Sequence, residues 1–485
     1  MLICVAMGLA VLPSLSGCLG GQSTVSWLFN DLGNGYQLPQ ETQEELKRFR
    51  TTFGKYVKGS ESASSEGLQN FEDAFKRVRV HYVRKVPDAK LIDAAVKGVE
   101  ELKSEPNSVQ PKDLVEAALD SMTASLDPHS GYLNGQEYQE MQSSTRGEFG
   151  GLGIQVSIEN GVIKVVSPIE DTPAFRAGLK PGDLITHLNG EIIKDRPIMY
   201  SVRKMRGEPG SDITLTISRE GTAPFDVTIT RAIIRVKSVK WRTEGNIGYV
   251  RISNFSERVE VGVYDAIKGI RRKIGGTPTG IVLDLRNNPG GLLDQSIVLS
   301  DAFLEKGLIV SIKGRNERGK RVFEAESGDL AKGVPMVVLI NGGSASASEI
   351  VAAALRDHGR AIVMGSRSFG KGSVQTVTPL PVEGALRLTT SLYYAPSGKT
   401  IQARGIQPDV AIVPGEEIKR PREADLPGAL AGDKTRGKGT KASIKETACP
   451  AIGEKKDRGL GCALALLNAG STARFLASLD AGARM

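Results

Sequence analysis

An apolar strand, a glycine-rich turn and a helix follow one another between residues 334 and 356, and this order strongly constrains the fold. Val334–Ile340 (VPMVVLI) is typical of a buried strand, and Glu349–Arg356 (EIVAAALR) is typical of a helix. Ser346 lies in the turn between them. Because N–H groups are free at a helix N-terminus and the helix dipole favours negative charge there, this turn suits a group that develops an anion.

A lysine downstream of this turn completes a candidate catalytic pair. Lys371 opens the run Lys371–Thr378 (KGSVQTVT), which resembles a strand. Positions four apart on a strand point to the same side, so Gln375 is expected beside Lys371. A serine hydroxyl attacks a carbonyl only if a base removes its proton, and a desolvated lysine amine is such a base. A neutral amide orients the amine without raising its pKa, as a carboxylate would.

The same residues have simpler structural interpretations. Ser346 and Glu349 have the spacing of a capping box, in which the serine only caps the helix. Lys371 by itself is consistent with a solvated surface charge. Periodicity does not bring Ser346 and Lys371 together, so the residues alone leave both interpretations open.

Several motifs over residues 66–414, in the same order, resemble the carboxyl-terminal processing peptidases, which are PDZ-containing Ser–Lys serine proteases also called tail-specific proteases. The resemblance implies that Ser346 is the nucleophile and that Lys371, 25 residues later, is the general base. It also implies that Gln375 orients the lysine. The expected activity is that of a serine-type endopeptidase with a Ser–Lys dyad.

The run Asp284–Gly291 (DLRNNPGG) resembles the oxyanion-side loop of that family. The resemblance implies that the N–H of Gly290 or Gly291 joins that of Ala347 in binding an oxyanion, and the sequence leaves open which glycine donates. The structural alternative is an ordinary turn after the apolar run Gly280–Leu285, which the Asn-Pro-Gly-Gly composition would explain alone.

A histidine-dependent triad is the competing chemistry. The chain has four histidines, His81, His129, His187 and His358. His358 is predicted at a helix end, His187 on a strand face, and His129 in a turn that resembles a family motif near the substrate tunnel. No nucleophile elbow accompanies them and no two have the spacing of metal ligands. We therefore expect neither a histidine triad nor a metal site, and no cofactor.

Residues 146–232 contain an ordered set of PDZ features. These are a glycine-rich strand start at Gly150–Ile154, the run Lys180–Gly190 (KPGDLITHLNG), a helix at Pro197–Met205, and a closing hairpin that begins at Ile213. Consecutive N–H groups in such a glycine-rich loop bind the terminal carboxylate of a peptide. The predicted peptide-binding residues in this loop are Gly151, Leu152, Gly153 and Ile154.

Arg206, in the run Met205–Gly210, is a further candidate, because it would link occupancy of the peptide groove to the catalytic half. The simpler interpretation is a solvated arginine at the rim of the groove.

The predicted fold class is multidomain α/β, with a crotonase/ClpP-like catalytic core, an inserted PDZ domain and N-terminal helices. Helices are expected at residues 44–56, 69–83, 88–103 and 112–122, with a Ser/Gly/Glu break at 59–67. The predicted divisions are a signal peptide (1–17), a tether and N-terminal helix (18–65), an N-terminal helical region (66–145), the PDZ domain (146–232), the Ser–Lys peptidase core (233–414) and a flexible C-terminal extension (415–485).

The N-terminus predicts export. Residues 1–12 are apolar but too short for a confident membrane span, and Leu15–Cys18 resembles a bacterial lipobox, which would leave a lipidated Cys18. No Lys or Arg precedes Lys47, so either translation starts upstream or this is an unlipidated signal peptide. We expect the bacterial cell envelope, on the periplasmic side, with a membrane anchor if Cys18 is lipidated. In that oxidising compartment Cys449 and Cys462 are expected to form a disulfide.

Composition limits the kinds of partner that the protein is expected to bind. A net charge of +8 over 485 residues is modest, and the basic residues are scattered, so nucleic acid is not an expected partner. Expected partners are proteins or peptides with exposed C-termini, an envelope adaptor protein and further copies of the chain. The leading functional prediction is an exported endopeptidase that recognises protein C-termini through its PDZ domain and cleaves C-terminal or unstructured segments. The alternative is a catalytically inactive PDZ-containing peptide-binding scaffold.

Overall fold

The computed structural model describes residues 38–102, 104–316, 320–415, 420–433, 439–440, 442–454 and 456–482. The predicted signal peptide, Cys18 and most of the tether lie outside these residues. The helices are α1 (Gln40–Tyr56), α2 (Glu61–His81), α3 (Asp88–Glu101), α4 (Pro111–Ala124), α5 (Gly135–Arg146), α6 (Pro173–Arg176), α7 (Ile198–Met205), α8 (Val259–Ile274), α9 (Leu293–Asp301), α10 (Ala347–Asp357), α11 (Arg458–Ala469) and α12 (Thr472–Gly482).

The strands are β1 (Gly131–Leu133), β2 (Glu148–Gly151), β3 (Ile154–Glu159), β4 (Val162–Pro168), β5 (Leu184–Leu188), β6 (Glu191–Ile192), β7 (Asp212–Ser218), β8 (Phe225–Thr230), β9 (Ala232–Arg235), β10 (Val239–Glu244), β11 (Ile247–Ile252), β12 (Gly280–Asp284), β13 (Gly307–Gly314), β14 (Arg321–Ala325), β15 (Met336–Ile340), β16 (Ala361–Gly365), β17 (Ser373–Pro379), β18 (Ala385–Tyr394), β19 (Val410–Val413) and β20 (Ala442–Lys445).

The N-terminal helices α1 to α4 form one apolar cluster. Phe49 and Phe71 stack in its centre with ring centroids 3.7 Å apart, and Leu386 and Leu388 of β18 complete it. The predicted break at 59–67 is wrong, because α2 begins at Glu61, where the Ser60 side chain accepts a hydrogen bond from the Ala63 N–H. The serines that suggested a break therefore cap and begin a helix, and the predicted division at residue 65 falls inside it.

The PDZ domain has its own sheet and its own core. Its strands run in the order β3-β4-β5-β7-β8, with β6 paired to β5, and the strands enclose buried residues such as Leu152, Val165, Ile185 and Leu215. β3 pairs with β4 alone among the described strands, so its other edge is unpaired. β1 precedes the domain and pairs with β18 of the catalytic half, which confirms that the PDZ domain is inserted.

The catalytic half is built on a seven-stranded sheet in the order β10-β11-β12-β15-β16-β19-β20. All neighbours pair in parallel except β10 and β11, which are antiparallel. Alternate residues of each strand face opposite sides, so Ile281 and Leu283 pack against α8 to α10 while Val282 faces α11. Both faces are covered, as a parallel sheet requires.

A second, antiparallel sheet carries the lysine side of the candidate site. Its order is β1-β18-β13-β14, with β17 paired to β18. The predicted strand at residues 386–393 is confirmed as part of β18, but it belongs to this sheet rather than to the parallel one. β17 starts only at Ser373, and a bulge between Val374 and Gln375 shifts its register. Lys371 therefore precedes the strand.

The expected flexible C-terminal extension is wrong for the described part of residues 415–485. β20 pairs in parallel with β19 at the sheet edge, and Ile444, Leu460 and Phe475 are buried against the sheet face opposite α8 to α10. The Lys, Gly, Glu and Pro residues of the tail made it look flexible, although the tail also contains the apolar residues that cover this face of the sheet. Among the described residues no single helix is long and apolar enough to cross a membrane. Only α11 and α12 taken together reach that length and composition, and they are bent by 118° relative to each other.

Cys449 and Cys462 are joined by a disulfide across 13 positions. Because both cysteines are buried in the cluster that covers the sheet, we expect the bond to matter to the fold. Replacing both with alanine should lower the free energy of unfolding, by roughly 3 kcal/mol if the loop-entropy model applies. Denaturant unfolding of the oxidised protein and the double variant measures this, and non-reducing peptide mass spectrometry verifies the bond. Two free thiols in protein from the periplasm would contradict the prediction.

Candidate active site

Ser346 lies at the junction of β15 and α10, as the sequence predicts. The turn before it is tied to β12, because Ser344 Oγ donates to the Leu285 carbonyl at 2.8 Å. Ser346 has φ 54° and ψ −114°, a backbone conformation that costs energy outside glycine and is concentrated at functional sites. The Glu349 N–H donates to the Ser346 carbonyl oxygen at 2.8 Å. Ser346 and Glu349 also have the reciprocal arrangement of the capping box that their spacing predicts.

A single buried carboxylate links the serine loop to the lysine loop. Glu349 Oε2 accepts the N–H of Ser346 at 2.8 Å and the N–H of Lys371 at 2.9 Å. The two backbone nitrogens are therefore at most 5.7 Å apart, the sum of 2.8 Å and 2.9 Å. Glu349 Oε1 accepts the N–H of Gly370 at 2.8 Å and the hydroxyl of Ser368. The capping-box spacing predicts the bond between Ser346 and Glu349. The other three bonds join Glu349 to residues about twenty positions away, and no local sequence pattern predicts them.

The pKa of Glu349 is raised by its burial to about 7, and its four hydrogen bonds oppose that rise. Four donors converge on two oxygens, which suits the ionised form, since a protonated carboxyl would turn one acceptor into a donor. The geometry of this junction is therefore that of an ionised carboxylate.

Lys371 has the electrostatic surroundings of a base. Desolvation by burial lowers its pKa below the ordinary lysine value, and the nearby Arg387 guanidinium lowers it further. The carboxylates of Glu423, Asp127 and Glu349 act in the opposite direction. The net shift brings the neutral amine, which can accept a proton, closer to physiological pH.

The hydrogen bonds of the Gln375 side chain go to residues other than Lys371. Its amide Nε2 donates to Ser373 Oγ at 2.9 Å and to Thr389 Oγ1 at 3.2 Å. Thr389 Oγ1 in turn donates to Asp127 Oδ1 at 3.0 Å. The expectation of direct adjacency assumed a regular strand from Lys371 onward, and both the late start of β17 and its bulge break that alternation.

The glycine loop after β12 lies against the serine. A methyl group placed on Gly290 would be 2.9 Å from Ser346 Cβ and 3.1 Å from the Ala347 nitrogen. The Gly290 N–H already donates to Asn288 Oδ1 at 2.9 Å. The N–H groups of Gly291 and Ala347 donate to no residue that the structure describes. Of the two glycines, Gly291 is therefore the one whose N–H is available to bind an oxyanion.

Three of the histidines have partners other than the serine. His187 Nδ1 lies 2.9 Å from Thr186 Oγ1, and His358 Nε2 lies 2.7 Å from the Leu308 carbonyl oxygen. His129 Nε2 lies 2.7 Å from Glu423 Oε2. His81 is the last residue of α2. Within the described residues no group of three or more His, Cys, Asp or Glu side chains could hold a metal ion.

The PDZ carboxylate loop connects β2 to β3. The Leu152 carbonyl accepts the Ala174 N–H at 2.9 Å, and the Gly153 carbonyl accepts the Ile169 N–H at 2.8 Å. The N–H groups of Leu152 and Gly153 have no acceptor in the described part of the chain. Gly151 ends β2 and Ile154 begins β3, whose free edge continues from this loop.

Arg206 is exposed and lies close to the strand that leads into the carboxylate loop, because the N–H of the next residue, Gly207, donates to the Gly150 carbonyl at 3.3 Å. Its guanidinium lies 4.7 Å from the centre of the Phe149 ring. Both side chains line a cleft of about 770 Å³ that α5 and the catalytic half also border, the latter through Ser253 and Asn254. Arg206 therefore lies where the PDZ domain meets its neighbours.

The comparisons with known proteins agree with this arrangement. The model of peptidase family S41 matches residues 246–412, and a PDZ domain model matches residues 150–228. A carboxy-terminal-processing protease of Bartonella bacilliformis is 50% identical over 358 residues, which are 73% of this chain and 76% of that protein. A probable CtpA-like serine protease of Staphylococcus aureus (strain COL) is 34% identical over 364 residues, which are 73% of this chain and 67% of that protein.

Among solved structures, the photosystem II D1 C-terminal processing protease is 27% identical, with a TM-score of 0.45, over 72% of this chain and 93% of that one. The sequence matches define the class as a PDZ-containing serine peptidase of family S41. The chain belongs to the carboxy-terminal-processing proteases.

Proposed function

We propose that this protein cleaves C-terminal or unstructured segments of proteins by Ser–Lys acyl-enzyme chemistry, after recognising a free C-terminus through its PDZ domain. The main support is the Glu349 carboxylate, which binds the backbone of both Ser346 and Lys371 through one oxygen atom. The lowered pKa of Lys371 adds to it.

In the proposed reaction the neutral amine of Lys371 accepts the proton of Ser346 Oγ while that oxygen bonds to the scissile carbonyl carbon. The negative charge that develops on the carbonyl oxygen is held by the N–H groups of Ala347 and Gly291. Collapse of this intermediate breaks the peptide C–N bond, and the Lys371 ammonium returns its proton to the leaving amine. Lys371 then takes a proton from a water molecule while the water oxygen bonds to the ester carbonyl carbon. The ester C–O bond to Ser346 breaks and Lys371 returns the proton to Ser346 Oγ, which releases the new carboxyl end of the peptide and restores both residues.

The test of C-terminal recognition is a pair of unstructured peptides that differ only in a free or amidated C-terminus. We expect the free carboxylate to be cleaved with the higher kcat/KM, because the PDZ loop offers N–H donors to a carboxylate. Equal cleavage of both peptides would contradict the proposed recognition.

We also propose that the PDZ domain gates activity. A ligand shifts an equilibrium only if it prefers one arrangement of the domains, and the cleft lined by Arg206 is where such a preference would act. Deleting residues 150–230 should abolish the response of the enzyme to added C-terminal peptides, whether basal activity rises or falls. Steady-state cleavage of a reporter with and without such a peptide measures this.

Arg206→Ala should weaken the response if Arg206 couples the groove to the catalytic half. The matched control is Arg176→Ala on α6, since Arg176 is also exposed but does not line that cleft. A deletion variant that still responds to the peptides would rule out gating. A full response by Arg206→Ala would favour the solvated-rim interpretation of that residue.

The cellular location of the protein is a further proposal. We propose export to the periplasmic side of a bacterial envelope, lipidation of Cys18, assembly into homo-oligomers and an envelope adaptor as a partner. Cell fractionation of wild-type protein and of Cys18→Ala separates a lipid anchor from a cleaved signal peptide, because only the former loses membrane association in the variant.

A further inference from the structure

A segment beyond the family-model match crosses the loops of the active site. We call residues 420–433 the strap; the match ends at residue 412. Arg420 donates to Asn287 Oδ1 at 3.0 Å, beside the glycine loop, and the Glu423 N–H donates to the Phe369 carbonyl at 3.2 Å, two residues before Lys371. The strap therefore contacts both the oxyanion side and the lysine side of the site.

Glu423 is the buried anchor of the strap, with an exposed fraction of 0%. Its Oε1 accepts from Gln402 Nε2 at 2.8 Å, and its Oε2 lies 2.7 Å from His129 Nε2. Burying a carboxylate is costly unless it is paired, and a neutral apolar side chain would fill the same space without that cost. The presence of a charged group here therefore calls for a role that a neutral one cannot fill.

Gln402 transmits the position of Glu423 to the lysine loop. Its Oε1 accepts the N–H of Gly372, the residue after Lys371, at 2.9 Å. The backbones of the two residues are also in close contact, because a methyl group on Gly372 would lie 2.2 Å from the backbone nitrogen of Gln402. We expect a shift of the Glu423 carboxylate to move the Gln402 side chain and, through the bond to its Oε1, the Gly372 N–H next to Lys371.

His129 connects Glu423 to the other side of the lysine. The His129 carbonyl accepts from Arg387 Nε at 3.0 Å, and Asp127 Oδ1 accepts the His129 N–H at 2.9 Å. The charged groups that act on the Lys371 amine are thus Arg387 from β18, Glu423 from the strap, Asp127 from the turn before β1 and Glu349 from α10. Glu423 is the only one of these four that lies beyond the family-model match on its C-terminal side.

We propose that Glu423 is a positioning residue for Lys371, acting through Gln402 on the lysine backbone and through its negative charge on the lysine amine, so that the strap is part of the catalytic unit. This inference rests on the proposed Ser–Lys function. It predicts that the charge of residue 423, and not merely its shape, sets how the enzyme responds to pH.

The test is the pH dependence of kcat/KM for Glu423→Gln, which keeps the shape and removes the charge. Loss of a nearby anion disfavours the lysine ammonium, so we expect the rising limb of the profile to move to lower pH than in the wild type. Asp425→Asn is the matched control, because Asp425 is an exposed carboxylate of the same strap that accepts the Arg422 N–H. It should leave the limb in place. Glu349 is unchanged in all these proteins, so its own titration affects every profile in the same way.

A rising limb that stays in place or moves to higher pH in folded Glu423→Gln would overturn the inference. If Glu423→Gln does not fold, Glu423→Asp provides the test, because it retains the charge but shortens the reach to Gln402. We expect its kcat to fall by about tenfold at an unchanged KM, less than the roughly 10²-fold that a 1 Å misplacement can cost. A wild-type kcat for Glu423→Asp would then overturn the inference.

The proposed function fails separately from this inference, if Lys371→Arg remains active. If Lys371→Arg is inactive but the rising limb of the Glu423→Gln profile does not move, the Ser–Lys mechanism stands and only the proposed role of Glu423 is refuted.

Discussion

Lys371→Arg is expected to be as inactive as Ser346→Ala, with peptide cleavage reduced by roughly 10⁴-fold or more, as when a serine protease loses a member of its catalytic unit. Arginine keeps the positive charge and most of the length of lysine, but it cannot give up its proton near neutral pH. A structural lysine would behave in the opposite way, because arginine would preserve a surface ion pair. Cleavage of one unstructured peptide by folded variants measures this.

The wild-type pH profile and Gln375→Ala refine the same prediction. Burial and Arg387 lower the pKa of Lys371, so activity should rise with pH as the amine deprotonates and then level off until the fold is lost. Gln375→Ala should impair turnover less than Lys371→Arg, because it disturbs the position of the site and leaves the base in place, and because the Gln375 amide hydrogen-bonds Thr389, which in turn bonds Asp127. Near-wild-type turnover by Lys371→Arg would exclude the Ser–Lys mechanism.

Glu349→Gln is expected to lower kcat/KM by roughly 10²-fold, the cost of a displacement of about 1 Å at a reacting group. The carboxylate accepts four hydrogen bonds, three from backbone N–H groups and one from Ser368. A glutamine amide replaces one acceptor by a donor that faces N–H groups, so the serine and lysine loops should separate. Steady-state kinetics on the same peptide measures the loss.

Stability distinguishes this prediction from simple unfolding. The folded-state pKa of Glu349, about 7, lies above its ordinary value of 4.5, so its contribution to stability is present at low pH and is lost as the pH rises through about 7. Glu349→Gln removes that cost of burying a charge. We therefore expect its stability relative to wild type to improve as the pH rises, while its activity stays low. Wild-type activity in Glu349→Gln would show that the shared carboxylate does not hold the site together.

The sequence predicted the local pieces of the site better than their connections. The strand–turn–helix around Ser346 follows from apolar periodicity and turn chemistry, which act within a few residues. The second sheet does not follow, because the pairing of β17 with β18 and its bulge depend on distant partners. The hydrogen bonds of Gln375 to Ser373 and Thr389 could not be predicted for the same reason.

The acidic residues of the site were harder to predict. Asp127 lies in the turn that contains His129, and the resemblance of that turn to a family motif gave Asp127 itself no role. Glu423 belongs to no motif that the sequence analysis identified. Glu423 lies in a tail whose overall composition suggested flexibility, although its neighbours Leu430 and Ile444 are buried. A charged residue surrounded by scattered apolar positions is a signal for a packed tail, but only a structure shows what it covers.

The most direct test of the Ser–Lys account is labelling by a fluorophosphonate probe, followed by peptide mass spectrometry of wild type, Ser346→Ala and Lys371→Arg. The account predicts one adduct on the wild-type peptide that contains Ser346, and no adduct at the same exposure in either folded variant. An adduct on another serine, or labelling of Ser346 at the wild-type rate in Lys371→Arg, would contradict it.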